Sequence, residues 1–291
     1  MQERLGQVRS IAVASPAAVR LAGRAGWAIP ALAALLLLNA LPLALGPVER
    51  MLPVMAAIFV AAVVSSVAGF AFSAICGALL LHLVEDPVRA VQIMMVCSAA
   101  GQAYMVWTLR REIDVRALLP FLAGAAGGLP IGLSLLLASP PSLYAHGLGV
   151  FLVVYAGYAL LRRPGRLRHQ NPVLDGIAGF VGGITGGVAA FPGAPVTVWC
   201  SLKGWSKDRQ RGVYQPFILV VQLAAIALLG LGLVPARGPV SFDPAGLAYA
   251  PAMLLGTTIG LALFRRLSDR QFGRVLNAFL IASGIALLMA R

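Results

Sequence analysis

The chain has 291 residues, 59% of them hydrophobic and only 11% charged, with a mean hydropathy of +0.87. Such a composition argues against a soluble globular domain, and the lack of weak two-residue alternation argues against a porin-type barrel. The formal net charge of +13 falls in short clusters between apolar runs, which is the pattern of membrane topology rather than of a nucleic-acid surface.

Residues 1–25 carry Arg4, Arg9, Arg20 and Arg24 among alanines. No small-residue cleavage site follows the apolar run that begins at Trp27, so a cytosolic tail and a retained first span at 26–46 are expected, together occupying 1–50. Further along, apolar runs at 51–68, 71–83, 88–108, 117–137 and 143–161 form a first unit, 51–161. A basic linker at 162–172 follows. Runs at 173–189, 196–203, 212–233, 244–264 and 272–290 form a second unit, 173–291. The runs at 71–83 and 196–203 are short for a membrane crossing, which predicts that each closes a broken or re-entrant hairpin with the run before it. If both hairpins begin and end on one side, 19 of the 23 basic residues share the cytosolic face with the amino terminus. The expectation is an all-α polytopic membrane protein. It has seven single crossings plus two hairpins, arranged as two inverted-topology repeats after an extra first helix.

Several echoes connect the two units. Arg89 and Arg211 each open the helix after a hairpin and are followed by Gln92 and by Tyr214 and Gln215. Gly124 and Gly128 match Gly256 and Gly260 in spacing, and Cys76 and Cys200 fall at nearly corresponding places. The three cysteines, with Cys97, lie in apolar runs without CxxC pairing or a histidine at ligand spacing, so they read as small buried hydrophobes. No metal or cofactor is expected. His82, Glu85 and Asp86 read as surface at a hairpin end, and Trp27, Trp107 and Trp205 as interfacial belt residues.

Candidate chemistry concentrates between Asp175 and Arg211. Gly176, Gly179, Gly183 and Gly187 recur three or four residues apart, a spacing that lets helices approach closely. The pattern breaks at Phe191-Pro192-Gly193-Ala194-Pro195, and a new short helix is expected from about Val196. Its amino end exposes free N–H groups at a positive dipole end, which favours an anion without any full charge. The equivalent end near Ser73 is expected to face it. Ser73, Thr185 and Thr197 can donate hydroxyl protons there, or else bond back to carbonyls of their own helices. Gln92, Gln102, Gln215 and Gln222 are amides in apolar spans and need partners, either another helix or a ligand. Arg89 and Arg211 either snorkel to the interface or form basic mouths. The candidate substrate-binding set is Ser73, Gln92, Thr185, Pro192, Gly193, Ala194, Pro195, Thr197, Arg211, Tyr214 and Gln215. Asp175, Asp208 and Asp269 stand singly, and an enzyme is not expected. No charged residue falls at the middle of a predicted span, so a potential of about 2.3 kcal/mol per charge per 100 mV could expel an anion without a proton carrier.

The run from Gly179 to Phe217 resembles the second signature of the sulfite exporter TauE/SafE family of anion permeases. The break near Gly69 to Ser73, Asp86-Pro87-Val88-Arg89-Ala90 and the turn Arg110-Arg111-Glu112-Ile113-Asp114 resemble the other. The likeness spans about residues 51–290. It departs where Gly69-Phe70-Ala71-Phe72-Ser73 and Phe191-Pro192-Gly193-Ala194 replace more glycine-rich breaks. The resemblance implies a bacterial inner-membrane exporter of sulfite or a small organosulfonate. Its partners would be a small anion and the lipid bilayer, with no nucleic acid. The alternatives are a transporter of another small anion such as a carboxylate, or a membrane scaffold subunit.

Overall fold

The computed structural model describes residues 48–68, 72–139, 171–205, 207–234 and 244–264, with isolated positions between 150 and 157. The expected first span, the run at 143–161, most of the basic linker, the last span and residues 69–71 of the first break lie outside the described residues. What is described is entirely helical. Eight α-helices run in order: α1 (Val48–Ala68), α2 (Phe72–Leu83), α3 (Pro87–Thr108), α4 (Val115–Ala138), α5 (Pro172–Ala189), α6 (Gly193–Leu202), α7 (Lys207–Gly230) and α8 (Ala250–Phe264). A 3-10 turn at Pro244–Tyr249 leads into α8. There Pro251 lacks the N–H that a continuous α-helix would need, so the predicted single helix at 244–264 changes its winding near that point.

Polar caps set the helix starts. Asp86 accepts from the Val88 N–H at 2.9 Å, Asp114 from Ala117 at 3.1 Å and Asn171 from Val173 at 2.9 Å. Pro87 and Pro172 occupy first helical positions, where a missing N–H costs nothing. Asp114 also meets Arg209 of α7 at 3.3 Å, with both side chains part-exposed. Replacing Asp114 with alanine is expected to cost about 1 kcal/mol, nearly all from the lost cap, since an exposed ion pair adds little. Thermal unfolding of D114A beside R209A separates the two contributions.

Helices α3, α4, α5 and α7 are long and apolar enough to cross a membrane. Their outward faces carry Leu119, Ile131 and Leu135 on α4, Ile177 and Val181 on α5, and Val220 and Leu223 on α7, all suited to lipid. Helix α3 runs through the interior against α7, and Phe121 of α4 meets Phe217 edge-on at 6.4 Å. By contrast α2 and α6, with 12 and 10 residues, extend only about 18 and 15 Å, roughly half a hydrocarbon layer.

Two contacts bring backbone against backbone. On α4, a Cβ placed at Gly124 or Gly128 would strike the Gly176 or Phe180 carbonyl of α5. In return, Gly183 and Gly187 of α5 face the backbone of Ala125 and Leu133, at 2.8 and 2.5 Å from where a Cβ would sit. The same device recurs between α8 and α1: a Cβ at Gly256 would lie 2.6 Å from the Phe59 carbonyl, and one at Gly260 would strike that of Val63. Thus the glycines matched by spacing in the sequence perform matching tasks. Cys76, Cys97 and Cys200 are buried and unbridged, as their apolar settings predict, and His82, Glu85 and Asp86 are exposed.

Candidate functional site

The turn between α5 and α6 differs from its predicted position. Helix α6 begins at Gly193, three residues earlier than expected, because Pro195 is its third residue and the first turn has no use for that N–H. The break is therefore Ala190 to Pro192. Ala190 adopts a left-handed conformation (φ 52°), unusual for a residue with a Cβ. The returning chain fits because Gly182 and Gly186 of α5 leave room for Pro192: added Cβ atoms there would lie 2.9 Å from its carbonyl oxygen and 3.0 Å from its Cβ.

The Ala190 carbonyl is the meeting point of both hairpins. The Ser73 hydroxyl, at the start of α2, donates to it. The Gln222 side-chain amide, on α7, donates to the same oxygen at 2.9 Å. Ser73 and Gln222 are both almost fully buried. The sequence places Ser73 opposite the second break, and in the fold it stands there. Gln222, weighed only as an amide in an apolar span, joins them. Its signal was the cost of burying an unpaired amide; its lack of an echo in the first unit pointed away from it.

The other predicted site residues divide into three groups. Pro192, Gly193 and Ala194 are buried at the break, and Pro195 is half-buried in the first turn of α6. Thr197 follows one turn later, and its buried hydroxyl oxygen has no hydrogen-bond partner. Thr185 has its hydroxyl facing three carbonyls, of Val181 at 3.1 Å, Gly182 at 3.2 Å and Phe191 at 3.0 Å. Of its two predicted roles, the bond back to its own helix is therefore present, with the break as an added acceptor. Finally, Arg211, Tyr214 and Gln215 cluster on α7, where Arg211 and Gln215 hydrogen-bond with the Tyr214 phenol. Eleven residues separate Arg211 from Gln222, about 16 Å along the helix, which puts the arginine near the basic end instead of at the break. Gln92 is buried on α3.

Asp175 and Lys203, unpaired in the sequence, form a buried salt bridge. The Lys203 ammonium lies 2.8 and 2.7 Å from the two Asp175 oxygens, and the Trp199 indole N–H donates to Asp175 at 2.6 Å. Only 4% of the lysine side chain and 9% of the aspartate side chain are exposed. This network closes the α5–α6 hairpin at its open end. Beside it, Trp205 is flanked by Lys203 and Arg209, each 4.5 Å from the ring centre, so the tryptophan is an anchor for two cations.

Glycine-lined helix pairs, a short broken hairpin and a basic end are now joined by a family model for sulfite exporter TauE/SafE, which matches residues 54–287. The chain belongs to the sulfite exporter TauE/SafE family. Comparison with curated proteins and with solved structures gives no match. Membership makes the chain a multi-pass membrane anion transporter and accounts for its long apolar helices. The match includes α2 to α8 and the larger part of α1. Among the described residues, no group of His, Cys, Asp or Glu is placed to hold a metal.

Proposed function

We propose that this TauE/SafE member exports sulfite or a small organosulfonate through a midplane site where the two hairpin breaks meet, with the basic helix ends cytoplasmic. The observation that carries this is the Ala190 carbonyl, which draws Ser73 from the first hairpin and Gln222 from α7 to the amino end of α6. That end offers the Gly193, Ala194 and Val196 N–H groups and a positive dipole. Thr197 adds a hydroxyl not engaged by the protein, and Gln222 has a second amide proton beyond the one given to Ala190. An anion arriving there meets dipoles and hydrogen-bond donors but no fixed positive charge, so it can also leave. The membrane potential then favours its outward movement.

An inverted pair of repeats, α1–α4 and α5–α8, is supported by the way contacts match when the two are exchanged. Helix α4 packs on α5 as α8 packs on α1, α1 on α2 as α5 on α6, and α3 against α7. Each glycine-lined pair joins the third helix of one unit after its break to the hairpin of the other. Backbones in such contact cannot slide, so α4 and α5 would move as one body and α1 and α8 as another. Alternating access then takes place across α3, α7 and the Ser73–Ala190 bond.

Thr197→Val is the cleanest test because it removes a hydroxyl that has no protein partner and keeps the shape. Thermal stability should be unchanged or slightly higher. In reconstituted vesicles under an inside-negative potential, half-saturation for sulfite should rise about tenfold, the loss of one hydrogen bond to a charged ligand. Unchanged flux in T197V, or electroneutral proton-dependent flux in the parent, would sink the proposal. Parallel assays with taurine-like sulfonates, sulfate and carboxylates decide the substrate.

A further inference from the structure

A second pocket, mostly apolar but with four polar side chains, lies between the end of α1, the start of α2, α3 and α8. Its volume is about 20 Å³, and its polar lining is Ser65, Ser66, Gln102 and Thr257, with Phe72 and Met253 among its apolar walls. That volume is enough for a water molecule or one bare monovalent ion. All four polar side chains are buried. The Ser65 and Ser66 hydroxyls donate to the Ala62 carbonyl of their own helix, at 3.3 and 2.5 Å. With those protons engaged, the two serines present lone pairs to the pocket. Thr257, only 1% exposed, has a hydroxyl oxygen without a hydrogen-bond partner in the protein. The polar part of the lining therefore consists of neutral side chains that carry acceptor oxygens.

Ser65 and Ser66 also belong to the last turn of α1, the negative end of its dipole, where no basic side chain competes. The corresponding end of α5 is different. There the Thr185 hydroxyl faces the Gly182 and Phe191 carbonyls, and Ser73 and Gln222 donate to that of Ala190, just past the last turn. Side chains of other helices donate at the α5 end, whereas Ser65 and Ser66 at the α1 end bond back within their own helix.

From this the geometry points to a sodium-sized cation site at the end of α1, held by the oxygens of Ser65, Ser66, Gln102 and Thr257. Half-helix carboxyl ends in transporters suit such ions, since a helix end and neutral oxygens can replace part of the hydration shell. A calcium or magnesium ion is disfavoured because no carboxylate lines the pocket. The site concerns oxygens distinct from those proposed for the anion and stands whether or not that proposal holds.

The test is thermal unfolding of the purified full chain in sodium, potassium or choline chloride at matched ionic strength, with binding of radioactive sodium measured directly. Sodium should raise the melting temperature saturably, by about 3–5 °C at a concentration tenfold above half-saturation. Choline and potassium should not. Thr257→Val should abolish the sodium response and sodium binding while melting normally in choline, and Ser66→Ala should weaken both. T197V should keep the sodium response intact. Identical melting of the parent in all three salts would mean that the pocket holds water alone, and the proposal would fail. It would also fail if T257V retained the sodium response or if potassium acted as well as sodium.

Discussion

Asp175→Asn is expected to destabilise the protein by about 3–5 kcal/mol, because it leaves the Lys203 ammonium buried beside a neutral amide. The Trp199 indole can still find an oxygen, so the loss comes from the charge and not from that bond. A smaller part comes from the first turn of α5, where a carboxylate favours the positive dipole end. In thermal unfolding the drop should be about 6–20 °C. Lys203→Met in the same chain should recover most of it, since a buried pair replaced on both sides often costs little, whereas one removed partner leaves an unpaired charge. Failure of the second substitution to rescue the first would show that the aspartate acts alone. D175N melting together with the parent would show that water reaches the lysine.

That pair also marks where sequence reasoning stops. Helices α3, α4, α5 and α7 were legible because a long apolar run is a local signal. The break at Ala190 was legible to within three residues, and the error arose because proline both ends a helix and fits inside a new first turn. Ser73 and Ala194 came to the break as their half-helices required. Gln222 did not stand out, since what matters is its reach to Ala190 across 32 positions and not any repeat of its type. Asp175 and Lys203 lie 28 residues apart, and only the folded-back hairpin makes them neighbours. Tertiary pairing of single charges has no period and no spacing to read. The glycines lie at the other extreme, because their spacing states directly which face must come close to a neighbour.

Gly128→Ala is expected to destabilise the protein by about 1–3 kcal/mol, and Gly127→Ala, one position earlier, to leave it unchanged or stabilise it by up to about 1 kcal/mol. Both exchanges gain the same helix propensity. At Gly127 the new methyl group meets only the Phe180 ring at 3.6 Å, an ordinary contact. At Gly128 it collides with the Phe180 carbonyl and lies 3.1 Å from the Ile184 nitrogen, and backbone inside a helix cannot turn aside as a side chain can. Overpacking therefore exceeds propensity at one site and not at the other. Gly256→Ala, whose methyl group would lie 2.6 Å from both the Phe59 carbonyl oxygen and the Ala62 Cβ, should cost a similar amount at the α8–α1 contact. Combining Gly128→Ala with Gly183→Ala should cost less than the sum, because a contact already forced apart by the first methyl group has room for the second. Combining Gly128→Ala with Gly256→Ala should be additive within about 0.5 kcal/mol, since the two contacts are separate. Thermal unfolding of the single and double variants reads all of these differences. If the second combination were as sub-additive as the first, the two glycine-lined pairs would not be independent bodies, and movement across α3 and α7 would lose its support.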